Sequence, residues 1–240
     1  MNEPYWLFKA KLIPRLPFLI AEAKKIRDSK PSLPPLSEKL VLNGGGKRIL
    51  VFGESTAAGV GASQIETTLA GHLLNGLESE FTVYCLGKNG LRVKEAVDFF
   101  HQNFWNPPLA QEGIALFLGA NDCFKLTKPK DFYGQLSSLI DLFRKELSPS
   151  WVYLADIPPV HLFPAFSKGM KRQLKIQRHY LQKEMAAISQ REENILFEPI
   201  SLDLNENFFS EDGIHPSDYG YQKIVEFAIK GLRDSQLIKI

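Results

Sequence analysis

Two cysteines, Cys85 and Cys123, are all that this chain of 240 residues carries. They form no CxxC pair and belong to no Cys/His cluster, so neither a disulfide framework nor a cysteine-based metal site is indicated. Each lies in or just after an apolar run, where a small buried thiol fits. With no positively charged signal-peptide start, free thiols point to a reducing compartment and a cytoplasmic protein. No apolar run approaches the ~20 residues a spanning helix needs. Charge of either sign is scarce in excess: the net value is +2, too little to mark a nucleic-acid binder. A hydrophobic share of 44% supports a sizeable core, so no metal or disulfide is required to hold it.

The small excess of positive charge is unevenly placed. Residues 1–30 hold seven Lys/Arg against three Asp/Glu, which leaves the rest of the chain slightly acidic. Pro14 and Pro17 divide this basic arm into two short helical pieces. From Pro17 the sequence LPFLIAEAKKIRD passes from apolar to basic, as suits a helix lying on a surface. Trp6, Phe8, Leu12 and Phe18 beside Lys9, Lys11 and Arg15 suit peripheral membrane contact through residues 1–30, or equally packing on the body or a second subunit. The Pro-rich and then Gly-rich segment that follows reads as a linker without a core of its own. The expected division is an arm and linker at 1–46 and one domain at 47–240.

Beyond Lys47 a rhythm begins. Apolar runs of strand length occur at 48–53, 81–87, 113–119, 151–157 and 194–199, with helical-period stretches between them and a last one at 219–234. The runs are nearly continuous, as expected of parallel strands buried on both faces. Strand and helix alternating about five times predict a three-layer α/β domain. In such sheets ligands bind beyond the carboxyl ends of the strands. Ser55, Gly90 and Asn121 follow the first three strands, and the loop EDGIHPS at 211–217 follows the fifth.

Those residues suit acyl transfer. A serine hydroxyl needs an imidazole to take its proton, and the imidazole needs a partner to aim it. In Asp212-Gly213-Ile214-His215 the carboxylate and imidazole are three apart, close enough to meet within one turn. Pro216 is expected to open the last helix. The backbone amides of Ser55 and Gly90, with the Asn121 side chain, are candidate donors to a developing oxyanion. The small residues after Ser55, namely Thr56, Ala57, Ala58, Gly59, Gly61 and Ala62, read as room for a substrate.

GES at 53–55, the glycine loop at 87–90, GAND at 119–122 and DGIH at 212–215 resemble, in order, the blocks of the SGNH hydrolases, the GDSL esterase/lipase family. The resemblance covers roughly residues 48 to 232. It implies a flavodoxin-like three-layer α/β/α fold with five parallel strands in the order 2-1-3-4-5, and metal-free ester hydrolysis with no cofactor. It also implies Ser55 as nucleophile, His215 as base, Asp212 as its orienting acid, and Ser55, Gly90 and Asn121 as the oxyanion hole. The family usually places Asp before the serine where this chain has Glu54, a position expected to support the loop.

Phe124, Leu126, Val160, His161, Leu162, Phe163 and Phe166 are candidates for a substrate pocket, with a merely packed loop as the alternative. His72 and His101 read as ordinary helix residues, His179 as solvated and Asp122 as an Asx-turn residue. The expected substrate is a small-molecule or lipid ester. An acyltransferase or thioesterase on the same triad, or a flavodoxin-like binding module, stays open. An α/β-hydrolase is disfavoured because Ala57 breaks the GxSxG elbow, and a P-loop because GxxxxGK[ST] is missing.

Overall fold

A computed structural model describes residues 3–77 and 80–238. The chain begins with helix α1 (Tyr5–Leu12), a short 3-10 turn, and helix α2 (Leu16–Ser29). Strand β1 (Lys39–Leu42) follows. The body then alternates β2 (Lys47–Gly53), α3 (Leu69–Gly76), β3 (Phe81–Gly87), α4 (Val93–Asn103), β4 (Gly113–Phe117) and α5 (Ala120–Phe124). It ends with α6 (Pro129–Leu147), β5 (Trp151–Ala155), α7 (Lys168–Arg191), β6 (Ile195–Glu198) and α8 (Asp218–Asp234).

The sheet order is β1-β3-β2-β4-β5-β6. The five strands from β2 to β6 are parallel to their neighbours and stand in the expected 2-1-3-4-5 arrangement. The sixth strand is a departure from expectation. Lys39–Leu42, within the segment read as linker, pairs antiparallel with β3 and becomes one edge of the sheet. The run KLVL is short and flanked by Pro and Gly, so its period could not be told from that of a linker.

Near-continuous burial in β2, β4 and β5 follows from helices on both faces. Successive side chains point to opposite sides. Leu50, Phe52, Leu116 and Leu154 therefore join one core cluster with residues of α4, α6 and α7. Ile49, Val51, Ala115 and Tyr153 join another with residues of α3 and α8. Cys85 and Cys123 are free and buried.

The arm packs on this body along one face. Phe8 and Leu12 are buried, one helical turn apart. The Tyr5 hydroxyl lies 3.2 Å from the Leu126 carbonyl and from Gln177 Oε1, and burial pushes its pKa to about 12. Helix α2 sits more loosely, with no buried residue of its own. Leu19 and Ile26 rest against the core, while Glu22 accepts hydrogen bonds from the Ser167 amide and hydroxyl, each 2.8 Å, at the N-terminus of α7.

Candidate active site

Gly53, the last residue of β2, aligns with Gly87 of β3 and Phe117 of β4. Beyond that line, the chain leaves the sheet at Glu54-Ser55, after β3 it reaches Gly90, and after β4 it enters α5 at Asn121. The backbone amides of Ser55 and Gly90 have no acceptor among the described residues. Gly90 takes φ +80°, a conformation that L side chains disfavour, and a Cβ there would meet nothing within 4 Å. Gly90 itself is exposed and lies outside the lining of the cavity that holds Ser55, which its neighbour Asn89 joins.

His215 and Asp212 meet as their spacing predicts. His215 Nδ1 is 2.6 Å from Asp212 Oδ2. Asp212 Oδ1 accepts from the amides of Ile214 (2.8 Å) and His215 (2.9 Å) and from the Ser210 hydroxyl (3.0 Å). Burial alone would raise the Asp212 pKa. The hydrogen bonds from His215 and its backbone outweigh that cost and bring it down to about 2. The carboxylate thus takes the Nδ1 edge of the imidazole, and Nε2 makes no hydrogen bond among the described residues. Pro216 does not open the last helix: it bridges Phe209, and Ser217 caps α8 by accepting from the Gly220 amide.

One cavity of about 920 Å³ includes Ser55, Asn121 and His215 in its lining. Ser55 Oγ makes no hydrogen bond among the described residues. Of the small residues after it, Thr56 lines the cavity, and the rest serve a different purpose from the one expected. Ala57 and Ala58 are fully buried, and none of the residues 57–62 lines the cavity. A Cβ on Gly61 would stand 2.5 Å from the Pro216 carbonyl oxygen and 3.1 Å from the His215 Cβ. Smallness here lets the serine loop and the histidine loop pack backbone to backbone.

Glu54 does more than the sequence suggested. Its carboxylate is buried and accepts from the Ala120 amide (2.9 Å), the Asn121 amide (3.0 Å) and Asn121 Nδ2 (2.6 Å). Burial drives its pKa up to about 7 against the pull of those donors. Asn121 Nδ2 also donates a longer bond of 3.3 Å to the Leu91 carbonyl. Asp122 forms no Asx-turn. Fully buried, it accepts from the Val93 amide at the start of α4 (3.0 Å) and from the Thr127 hydroxyl (2.7 Å).

Of the pocket candidates, Phe124, Leu126, Phe163 and Phe166 line the cavity. Val160, His161 and Leu162 do not: Val160 is buried in the core, Leu162 is exposed and His161 lies outside the lining. All three belong to one 3-10 turn (Val160–Leu162). His179 is half-buried rather than solvated, and its burial together with nearby Lys183 lowers its pKa. Two features were missed. Leu12, Leu16, Leu19 and Ile26 of the arm form part of the cavity wall, an assignment that required knowing where the arm folds back. Asp156, at the end of β5, is gripped by Arg178 Nη2 (2.6 Å), Gln182 Nε2 (2.9 Å) and the Ile200 amide (3.0 Å), tying α7 to the sheet beside the cavity. The i, i+4 spacing of Arg178 and Gln182 was its only signal.

Comparison with known proteins agrees with this fold. The model of the GDSL-like Lipase/Acylhydrolase family matches residues 51–223. No curated protein matches. Among solved structures, a member of the lipolytic protein G-D-S-L family from Veillonella parvula shares 15% identity at a TM-score of 0.58, covering 77% of this chain and 97% of that one. A carbohydrate acetylesterase family member from Sinorhizobium meliloti shares 17% at 0.57, covering 80% and 97%. An acetyl xylan esterase from Geobacillus stearothermophilus shares 16% at 0.54, covering 82% and 98%. At these identities the structures speak for the fold alone, whereas the family model spans most of the chain. The chain belongs to the GDSL-like lipase/acylhydrolase family.

Proposed function

We propose that the chain hydrolyses carboxylic esters of acyl chains through an acyl-serine intermediate on Ser55. The observation that carries this reading is the shared cavity, in which Ser55, Asn121 and the Asp212-held His215 stand among apolar side chains from the arm and the body. Ser55 Oγ attacks the ester carbonyl while His215 Nε2 takes its proton. Asp212 keeps Nδ1 protonated and offsets the charge of the imidazolium. The oxyanion is met by the free amides of Ser55 and Gly90 and by Asn121 Nδ2, whose 3.3 Å bond to Leu91 is the one it would exchange. The intermediate collapses, His215 protonates the leaving alcohol, and water repeats the sequence to release the acid.

The test is hydrolysis of p-nitrophenyl esters from acetate to palmitate, with Ser55→Ala alongside and a fluorophosphonate probe to label the serine. Activity and labelling that vanish together in Ser55→Ala support the reading. Turnover that persists in that variant sinks it. A second reading, deacetylation of a carbohydrate, is suggested by the carbohydrate acetylesterase family member and the acetyl xylan esterase that share this fold. It predicts a steep preference for acetate over longer chains, opposite to what the apolar wall favours.

A further inference from the structure

Four of the seven large apolar side chains left exposed among the described residues lie between residues 6 and 20: Trp6 (69% exposed), Ile13 (62%), Phe18 (78%) and Ile20 (65%). The arm packs on the body through Tyr5, Phe8, Leu12, Leu19 and Ile26, and Ile20 lies at the cavity lining, so Trp6, Ile13 and Phe18 are left outside both the packing and the cavity. The exposed side chains are spread over both helices and the 3-10 turn between them: Trp6 on α1, Ile13 at the start of the turn, and Phe18 and Ile20 on α2. Around them positive charge is in excess. Glu3 pairs with Lys11, Glu22 is taken by Ser167, and Asp28 pairs with its neighbour Arg27. Lys9, Arg15, Lys24, Lys25 and Lys30 have no carboxylate partner among the described residues. Lys24 and Arg27 also border the cavity, together with Lys125.

We propose that this outer face of the arm docks the protein on an anionic lipid surface. Exposed Trp and Phe beside unpaired Lys and Arg are the composition of a helix that lies in the headgroup region. There the rings enter the acyl boundary and the cations meet lipid phosphates. No helix among the described residues is long and apolar enough to cross a membrane, so the contact is peripheral. The same helix, α2, forms a wall of the cavity through Leu19 and Ile26. Docking therefore brings the cavity beside a reservoir of acyl chains. A second copy of the chain would also cover apolar side chains, but two such faces meeting would oppose five unpaired cations on each side.

The experiment is sedimentation of the full chain with vesicles of phosphatidylcholine, with and without phosphatidylglycerol, beside the variants Trp6→Ser/Phe18→Ser and Lys9→Glu/Lys25→Glu. None of these four residues lines the cavity. Hydrolysis of a soluble short-chain p-nitrophenyl ester is measured on the same samples to report folding and the catalytic centre. The wild type should pellet with phosphatidylglycerol vesicles and far less with phosphatidylcholine alone. Added salt should weaken the binding. Each double variant should bind about tenfold or more weakly while keeping its activity on the soluble ester. A wild type that stays in the supernatant with both vesicles overturns the proposal. So does binding that neither variant alters, or a dimer in light scattering that Trp6→Ser/Phe18→Ser dissolves without any pelleting. Vesicle binding with no ester hydrolysis in any sample supports the docking and defeats the proposed activity instead.

Discussion

Glu54 Oε2 accepts a 2.6 Å hydrogen bond from Asn121 Nδ2, so the residue before the serine fixes the side-chain amide of the loop after β4. The same carboxylate holds the Ala120 and Asn121 backbone amides. In the proposed mechanism it is a positioning residue, acting on chemistry through Asn121. Glu54→Ala should therefore lower kcat by about 10²-fold, the scale of losing one oxyanion donor, with KM little changed. Glu54→Gln, which keeps one acceptor for Nδ2, should recover part of it. Equal kcat in all three proteins would mean that Asn121 needs no such hold.

The buried carboxylate also sets a pH dependence of stability. The folded pKa of Glu54, about 7, lies above its ordinary 4.5, because burial disfavours the anion. Proton binding is thus stronger in the folded state. The contribution is fully present below pH 4.5 and is lost as pH rises through 7, a change of a few kcal/mol. Denaturant unfolding between pH 5 and pH 8 should show the wild type losing stability relative to Glu54→Gln. Parallel curves for the two proteins would place the folded pKa near its ordinary value.

How much of this could be read from the sequence depends on how local each signal was. Asp212 and His215 are three apart, and a single turn joins them, so their contact was legible. The parallel strands were legible from continuous apolar runs, since burial on both faces leaves no polar alternation. β1 was not, because four residues between Pro and Gly carry too little pattern. Glu54 was legible as an oddity but not as the partner of Asn121, 67 positions away. Gly61 was misread for a related reason: its neighbour is the His215 loop, and only the fold brings that loop alongside. The arm's part in the cavity wall was hidden by distance of the same kind.

In the proposed mechanism Asp212 keeps the imidazole aimed through its 2.6 Å hydrogen bond with Nδ1. Asp212→Asn preserves the shape but removes that charge and favours the wrong tautomer, so kcat should fall by about 10²–10⁴-fold. Stability should report the same bond. The Asp212 pKa, about 2, lies below its ordinary 3.8, so its contribution is present above pH 3.8 and disappears as pH falls through 2. The wild type should exceed Asp212→Asn in stability at pH 6, with the gap closing on acidification. A variant as active as the wild type would remove Asp212 from the proposed mechanism.

The arm's share of the cavity gives a prediction on specificity. Leu19 is only partly buried, so enlarging it disturbs little of the fold, yet it stands in the wall that an acyl chain would follow. Leu19→Trp should fill part of that path. Excluding two methylenes from the apolar wall costs about 1.6 kcal/mol at about 0.8 kcal/mol each, or roughly 15-fold in rate for the longer ester. The ratio of kcat/KM for decanoate over acetate should fall by that order, with acetate hydrolysis itself close to the wild-type rate. Leu19→Ala should leave long chains accepted and broaden the range. An unchanged ratio in both variants would mean that acyl chains leave Ser55 in another direction, and that α2 is a cover for the cavity without being part of the binding surface.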